Sequence, residues 1–290
     1  MSRSIRVMTL LLFLAAATLI AYRLGIVSSI TVQAKTTQEV RAPIVILSDE
    51  DLTADNGVRS GSGVKDDPYI ISDWRIDAVG IPFCIRIEGV SKAFRIENCY
   101  LTGASSLAVT ISEVSDGSIG NSCVVDSLFG VQLTNCDQFE IRNCAFDAIS
   151  WTALSLVESS GCTVEQCVFT EAALAIHFRE SSLSNFVVDC VFLEGCGTAI
   201  RLEPQCGGNT IARNDFIGSR CFGRSYNLWR DLSGIGNYWS KYIGKDRNED
   251  GIGDDAYRIL SDTYEMDFAP RMSPLHPGTL EGWNPCLESE

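Results

Sequence analysis

Histidine, methionine and basic residues are all scarce in this chain. His177 and His276 are its two histidines, and Met266 and Met272 are its methionines beyond the N-terminal residues. Because exported copper carriers bind the metal through Met and His ligands, which are softer than carboxylates, this scarcity makes copper handling unlikely on ligand content. Lysine and arginine total 23 against 37 acidic residues, which gives a net charge of −14. Such a chain repels nucleic acid and anionic membranes, and it suits divalent cations or neutral glycans.

A long uncharged apolar run stands at the N-terminus. Arg3 and Arg6 precede the run from Val7 to Ala21, and Val32-Gln33-Ala34 has the small-residue spacing that a signal peptidase needs. We predict that residues 1–34 are a signal peptide or an N-terminal membrane anchor. Both interpretations place the rest of the chain outside the cytoplasm, in the periplasm, at the cell surface or in the medium.

Two short segments alternate along the middle of the chain. The first has the form apolar-x-x-Cys-x-apolar, and its last copy carries Asn214 in place of cysteine. The second has the period-two pattern of a half-buried strand. Copies of the first are Ile96–Leu101, Ile141–Phe146, Val164–Phe169, Val187–Phe192 and Ile211–Phe216. Copies of the second are Cys84–Ile87, Ala108–Ile111, Gly130–Leu133, Ala153–Leu156, Ala173–Ile176 and Ala199–Leu202.

These repeats hold at least two short strands each, joined by turn residues, and no helical stripe. They predict an all-β fold, a right-handed parallel β-helix with coils of about 22–24 residues and a cap at each end. A leucine-rich repeat has a similar length and is the main structural alternative. It would require one strand followed by a helix or an extended convex segment.

The recurring cysteines follow from this geometry. Stacked coils lie about 4.8 Å apart, so cysteines that recur once per coil hold their Cβ atoms farther apart than the roughly 3.8 Å of a disulfide. We predict a column of buried thiols, continued by Asn214 through hydrogen bonds. The predicted column is Cys99, Cys123, Cys144, Cys167 and Cys190. Disulfide pairing stays open for Cys136, Cys162, Cys196, Cys206, Cys221 and Cys286.

The repeats and their flanks divide the chain into six parts. They are a signal peptide or anchor (1–34), a linker (35–43), an N-terminal cap with the first strand (44–80), the coils (81–220), a C-terminal cap with an acidic loop (221–270) and a tail (271–290).

The acidic loop of the C-terminal cap is a candidate calcium site. Its oxygen side chains occupy positions one, three and five, a glycine stands at six, and a backbone carbonyl follows, as a hard cation requires. Tyr257 stands where an EF-hand has its bidentate Glu. The alternative is a plain acidic Asx-turn without metal. The predicted ligands are Asp246, Asn248, Asp250, Ile252 and Asp254.

Motifs at the two ends resemble those of NosD-like right-handed β-helix proteins, which are common in archaea. The N-terminal motif comprises Gly61-Ser62-Gly63, Asp66–Ile71 and Trp74-Arg75-Ile76, and the C-terminal one comprises Gly236–Ser240, Asp250–Asp254 and Tyr257. The resemblance implies a β-helix outside the cytoplasm, of the type found in carbohydrate-binding proteins and sugar hydrolases. The family's namesake is a periplasmic accessory protein in copper-site maturation that works with a membrane transporter. This chain departs from the usual motif at Lys241 and Asn248.

The first functional hypothesis is a binding or scaffold module for a polysaccharide or cell-surface glycan. A stacked sheet would present regular rows of polar side chains, although such rows are also what an ordinary solvated face presents. The candidate row is Arg86, Thr110, Gln132, Ser155 and Arg201.

Two alternatives stand beside it, and whether the protein is an enzyme stays open. A hydrolase needs converging carboxylates, and we expect no two coil carboxylates at the same position of consecutive coils. A lyase needs a base, often Lys or Arg beside calcium. His177, just after a strand with Arg179 and Glu180 beside it, is a candidate site for either reaction, against the plainer interpretation of a surface histidine. The other alternative is the accessory role in copper-site maturation.

Overall fold

The computed structural model describes residues 38–260 and 265–279. The described chain winds into seven coils of short strands, and its only helical turns are two 3-10 helices at Asp49–Asp51 and Pro277–Thr279. The strands are β1 (Glu39–Val40), β2 (Ile44–Ile46), β3 (Val58–Ser60), β4 (Tyr69–Ser72), β5 (Trp74–Asp77), β6 (Ile85–Glu88), β7 (Phe94–Glu97), β8 (Tyr100–Thr102), β9 (Leu107–Ser112), β10 (Gly117–Gly120), β11 (Cys123–Ser127), β12 (Phe129–Thr134), β13 (Glu140–Arg142), β14 (Ala145–Val157), β15 (Thr163–Glu165), β16 (Val168–Phe169), β17 (Ala172–Arg179), β18 (Phe186–Val188), β19 (Val191–Phe192), β20 (Cys196–Leu202), β21 (Thr210–Ala212), β22 (Asp215–Phe216), β23 (Cys221–Phe222), β24 (Tyr238–Trp239), β25 (Tyr257–Arg258) and β26 (Met266–Asp267).

The strands stack into three parallel faces, which we call A, B and C. Along the chain each coil passes first through face C, then through face A and then through face B. Face A runs β1-β5-β8-β11-β14-β16-β19-β22-β24, and face B runs β2-β6-β9-β12-β14-β17-β20-β23. Face C runs β4-β7-β10-β13-β15-β18-β21, and the long strand β14 belongs to both A and B. Two pairs, β3 with β4 and β25 with β26, are antiparallel. The predicted parallel β-helix is confirmed, and the leucine-rich repeat is excluded because each coil adds strands and no convex helix.

The core is filled by identical residue types stacked from coil to coil. On face A four phenylalanines stack face to face, and the stack ends on Trp239 and Tyr257 of the C-terminal cap, with centroid separations of 4.2–5.0 Å. This spacing equals the strand separation of about 4.8 Å, so in-register stacking needs no adjustment of the backbone. The four phenylalanines are Phe146, Phe169, Phe192 and Phe216.

The thiol column differs from the prediction at one coil. Cys99, Cys144, Cys167 and Cys190 are buried free thiols in the predicted column. Cys123 is not in it, because the register pairs Cys123 with Tyr100 and Ala145. Ser122 takes the place instead, and its Oγ accepts a 3.1 Å hydrogen bond from the Cys99 amide. The off-column thiols of Cys136, Cys162, Cys196, Cys206 and Cys221 are likewise buried and free.

Asparagines continue two of the turn columns toward the C-terminus. In one column the Cys190 amide donates to Asn214, and the Asn214 amide donates to Asn237. In the other, the amides of Cys162, Asn185 and Asn209 donate in turn to Asn185, Asn209 and Asn227. Each side-chain amide thus satisfies backbone groups of the adjacent coil, which a turn without regular pairing would otherwise leave buried and unpaired.

The first strand lies within the predicted linker (35–43). Glu39 and Val40 form β1, which pairs with β5 on face A. The chain joins the solenoid there because β5 would otherwise present an unpaired edge. The predicted signal peptide or anchor (1–34) and Cys286 lie outside the described residues. Within the described ranges, no helix has the length and apolarity to cross a membrane.

Candidate functional site

The outward side of face B carries one continuous polar row. Cross-strand pairing places its six residues directly beside one another on β6, β9, β12, β14, β17 and β20. Five of them form the predicted row, and the structure adds His177, which lies on β17. The row is Arg86, Thr110, Gln132, Ser155, His177 and Arg201.

A cleft of about 280 Å³ lies along the middle of this row. One wall carries the half-buried side chains of Leu107 and Phe129, which pair with each other on β9 and β12. The other end carries His177, Arg179 and Glu203. The cleft therefore combines an apolar surface with hydrogen-bonding and charged groups, as sites for polar organic ligands do.

His177 and Glu203 form the most polar point of the cleft. His177 Nε2 lies 3.3 Å from Glu203 Oε1, and Arg179 Nε lies 3.7 Å from the same oxygen. Burial lowers the pKa of His177 below its usual range, and Arg179 reinforces the shift while Glu203 opposes it. The imidazole is therefore neutral at pH 7, since even an unperturbed histidine has a pKa of about 6.5. A neutral imidazole can act as a hydrogen-bond acceptor or a general base.

One buried polar atom of this row has unused hydrogen-bonding capacity. Ser155 Oγ forms no hydrogen bond with any group of the described residues, whereas His177 Nε2 faces Glu203 Oε1 at 3.3 Å. Ser155 is only 7% exposed. Because a buried polar atom without a partner costs free energy, this hydroxyl needs a partner from water or from a ligand.

A β-bulge beside the cleft contains an exposed aromatic side chain. The pairing of β14 with β17 shifts register between Ile149 and Thr152, and Thr152 lines the cleft. Trp151, within the bulge, is 59% exposed, whereas Trp74, Trp229 and Trp239 are buried. Bulges that turn a side chain outward are frequent next to binding sites.

The predicted acidic loop is closed by its own hydrogen bonds. The Asp246 carboxylate accepts the amides of Asp250 and Gly251, and Asp250 accepts the amide of Ile252. Asn248 donates to Asp250 at 2.8 Å, so three of the predicted ligands lie together. Asp254 pairs with Arg247 at 3.1 Å. No group of three His, Cys, Asp or Glu residues that could hold a metal ion is found within the described ranges.

The structure also corrects the expectation about carboxylates. Glu158 and Glu180 directly follow Val157 and Arg179, which pair with each other on β14 and β17. They therefore occupy the same turn position in consecutive coils, although both are exposed and neither lines the cleft. Glu203 was missed altogether. Its signal was its place directly after β20, two residues beyond Arg201, because a residue at that distance along an extended segment points to the same side.

The family described as "Right handed beta helix region" matches residues 79–236, more than half of the chain. The chain belongs to this family. Two proteins named "Probable ABC transporter binding protein NosD" are similar to this β-helix over 83 residues, at 48% identity in Pseudomonas aeruginosa and 37% in Stutzerimonas stutzeri. That segment is 28% of the present chain and 19% of either relative. The chain is thus NosD-like, but the match spans about a fifth of the relatives' length.

Two solved structures are similar to parts of this chain. One is an alginate lyase from Paenibacillus sp. str. FPU-7, with 12% identity, a TM-score of 0.48 and coverage of 68% of this chain and 76% of the lyase. The other is a tailspike protein of Acinetobacter baumannii bacteriophage Fri1, a capsular polysaccharide depolymerase, with 15% identity, a TM-score of 0.34 and coverage of 58% and 39%. These similarities concern the chain path alone.

Proposed function

We propose that this β-helix is an exported binding module that holds an extended glycan against the polar row of face B. The observation that carries the proposal is the cleft on that row, where half-buried Leu107 and Phe129 lie beside polar side chains that include Gln132. An ordinary solvated face presents polar groups alone. This cleft joins polar groups to an apolar wall, as sites for polar organic ligands do.

The length of the row suits a repeating ligand. Five steps of about 4.8 Å give a track of about 24 Å from Arg86 to Arg201. Along this track the chain offers guanidinium, hydroxyl, amide and imidazole groups at a constant interval, and a sugar chain offers hydroxyls at a constant interval. The fixed spacing of the sheet means that these groups need little reorganisation on binding, which lowers the entropic cost of association.

The apolar side of the cleft supplies the second element of sugar recognition. Phe129 and Leu107 can pack against the C–H face of a pyranose ring while the polar row binds its hydroxyls. Trp151 stands beside this wall and offers a larger exposed ring. Trp151 also provides a reporter, because the other tryptophans of the described residues, Trp74, Trp229 and Trp239, are buried and respond little to a surface ligand. Trp151→Phe separates its signal from that of Trp283, which lies outside the described residues.

The experiment is a binding screen of residues 35–290 against neutral and acidic polysaccharides, followed by titration with tryptophan fluorescence. We expect Gln132→Ala and His177→Ala to weaken binding about tenfold or more, since each removes a hydrogen-bonding group at the ligand. Ser118→Ala, on the outer side of face C, is the matched control and should bind as the parent does. If no polysaccharide binds, or if the two row variants bind as tightly as Ser118→Ala, the proposal is wrong.

A second candidate function is cleavage of the bound glycan at His177. The neutral imidazole 3.3 Å from Glu203, with Arg201 beside it on the row, favours elimination in a sugar that carries a carboxylate. The ring nitrogen of His177 that does not face Glu203 would accept the proton next to the carboxylate, the electron pair would form the C=C bond, and the leaving oxygen would take a proton from water. Arg201 would hold the carboxylate.

Absorbance of unsaturated products distinguishes this activity from binding alone. We expect His177→Gln to abolish turnover while retaining measurable binding, and Ser155→Ala to weaken binding with a smaller effect on turnover. Polysaccharides that bind the parent protein but yield no unsaturated product and no new reducing ends would reject cleavage and leave the binding module intact.

A further inference from the structure

A second, larger cleft of about 860 Å³ lies on the outer side of face C, at its C-terminal end. Its floor is a row in which Thr163, Phe186 and Thr210 pair directly, followed by Leu228. Its roof is the loop 231–234. The volume falls within the range of about 300–1,000 Å³ in which proteins bind small organic molecules.

The roof is fixed in place by an arginine clamp. Arg213 contacts both oxygens of Asp189 at 2.9 and 2.7 Å, and its third nitrogen reaches Asp231 at 2.6 Å. Asp231 in turn accepts the amide of Ile235 at 2.9 Å, which closes the loop. Bidentate pairs of this kind are geometrically specific. The cleft is therefore a preformed shape rather than a gap beneath a loose loop.

The floor and mouth of this cleft expose large apolar side chains. Phe186 is 44% exposed, Leu228 53% and Leu232 fully exposed. Such side chains scattered singly are ordinary, but grouped around one cleft they mark a contact surface. The strand neighbours of Phe186 in the adjacent coils are threonines, so the sheet itself does not require an aromatic ring at this position.

One positive charge at the rim is left uncompensated. Of the arginines that line the cleft, Arg142 pairs with Glu165 at 2.6 Å and Arg213 is held by its two aspartates. Arg230 is exposed and forms no salt bridge within the described ranges. In a chain with a net charge of −14, a lone guanidinium beside an apolar floor attracts one anionic group.

We infer that this cleft is a binding site for a small amphipathic anion, one with an apolar ring or chain and a single carboxylate, sulfonate or phosphate group. The apolar body packs on Phe186 and Leu228, and the anionic group pairs with Arg230. The site is on a different face from the polar row, so it is independent of the glycan-binding proposal.

The test uses 1-anilinonaphthalene-8-sulfonate, a fluorescent aromatic sulfonate, and its uncharged analogue N-phenyl-1-naphthylamine. We expect one sulfonate probe per chain. Arg230→Gln should weaken the sulfonate about tenfold, as loss of one charge-assisted hydrogen bond does, and leave the uncharged probe unchanged. Phe186→Thr, which copies its two strand neighbours, should weaken both probes.

Arg95→Gln is the matched control, because Arg95 is an exposed arginine on the same outer side of face C and does not line this cleft. It should bind both probes as the parent does. Absence of sulfonate binding, sulfonate affinity unaltered in Arg230→Gln and Phe186→Thr, or an equal loss in Arg95→Gln would each overturn the inference. Circular dichroism of every variant establishes that the coils are intact.

Discussion

The indole of Trp239 donates a 2.9 Å hydrogen bond to Oδ2 of Asp267, and the same oxygen accepts the backbone amide of Asn237 at 2.8 Å. Asp267 thus receives the end of one asparagine column. Two residues earlier, Glu265 receives the end of the other, through Asn227 and the indole of Trp229, both at 2.9 Å. The C-terminal cap therefore closes the solenoid by giving acceptors to donors that a further coil would otherwise satisfy.

Asp267→Ala should therefore destabilise the cap strongly. The substitution leaves the buried donors of Asn237 and Trp239 without an acceptor, and we expect a loss of about 3 kcal/mol in the free energy of unfolding. Urea unfolding followed by tryptophan fluorescence measures it. Asp255→Ala is the control, since Asp255 is exposed in the same cap. Equal stability of the two variants would contradict the capping role of Asp267.

The cap also predicts how stability changes with pH. Burial raises the pKa of Asp215, of Glu265 and of Asp267 above their ordinary values, and the hydrogen bonds that they accept offset it only in part. A carboxyl whose pKa is raised by folding contributes stability below its unfolded pKa of about 4, and that contribution is lost as pH rises through the folded value. The free energy of unfolding should therefore increase as pH falls from neutral toward the unfolded pKa of about 4.

Relief of the overall negative charge acts in the same direction, so variants are needed to separate the two causes. Glu265→Gln and Asp267→Asn remove the titrating groups and keep an oxygen acceptor, and they should flatten the pH dependence. Asp255→Asn removes an equal charge from the surface and should leave the slope as it is. Identical slopes in all variants would assign the effect to net charge alone.

The repeat and its strands are predictable from the sequence because a period-two pattern recurring every two dozen residues has few other solutions. The exact pairing register of the strands is harder to predict from the sequence. The segment around Cys123 fits the cysteine pattern, but the pairing of Ile119 with Ile96 and Ile141 sets the coil and places Ser122 in the column. A serine serves there because its Oγ makes the hydrogen bond that the turn requires.

Part of the candidate site could likewise be predicted from the sequence, and part could not. The polar row could be predicted, since each member has the same place in its own strand. The approach of Glu203 to His177 depends on the pairing of β17 with β20, and the bulge at Trp151 interrupts the pairing of β14 with β17. The place of Glu203 after Arg201 indicates its side of the sheet but not its contact with His177, and the bulge leaves no periodic signal in the sequence.

The buried thiols should be unreactive toward thiol reagents in the folded protein. Burial raises the pKa of Cys99 and of Cys162 to about 12, so almost no reactive thiolate is present at neutral pH. We expect Ellman's reagent to label Cys99, Cys144, Cys162, Cys167 and Cys190 at pH 8 only after urea is added, with the labelled sites read by peptide mass spectrometry. Rapid labelling of Cys167 in the native protein would contradict its place inside the coils.

The acidic loop gives the last prediction, and calcium remains the ion that its oxygen ligands suit. Asp246, Asn248 and Asp250 already lie together, and binding would require Asp254 to leave Arg247 or a carbonyl to take its place. We expect millimolar Ca²⁺ to raise the Tm relative to chelator by mass action, and Asp250→Asn to abolish the increase.

Equilibrium dialysis with Ca²⁺, Cu(I) and Cu(II) separates this outcome from the copper-maturation alternative, which predicts bound copper. Asp255→Asn is the control for charge. The calcium prediction is wrong if Ca²⁺ leaves the Tm unchanged and Asp246→Ala lowers the Tm equally with and without the ion. The loop is then an Asx-turn, held by the two hydrogen bonds that the Asp246 carboxylate accepts from backbone amides.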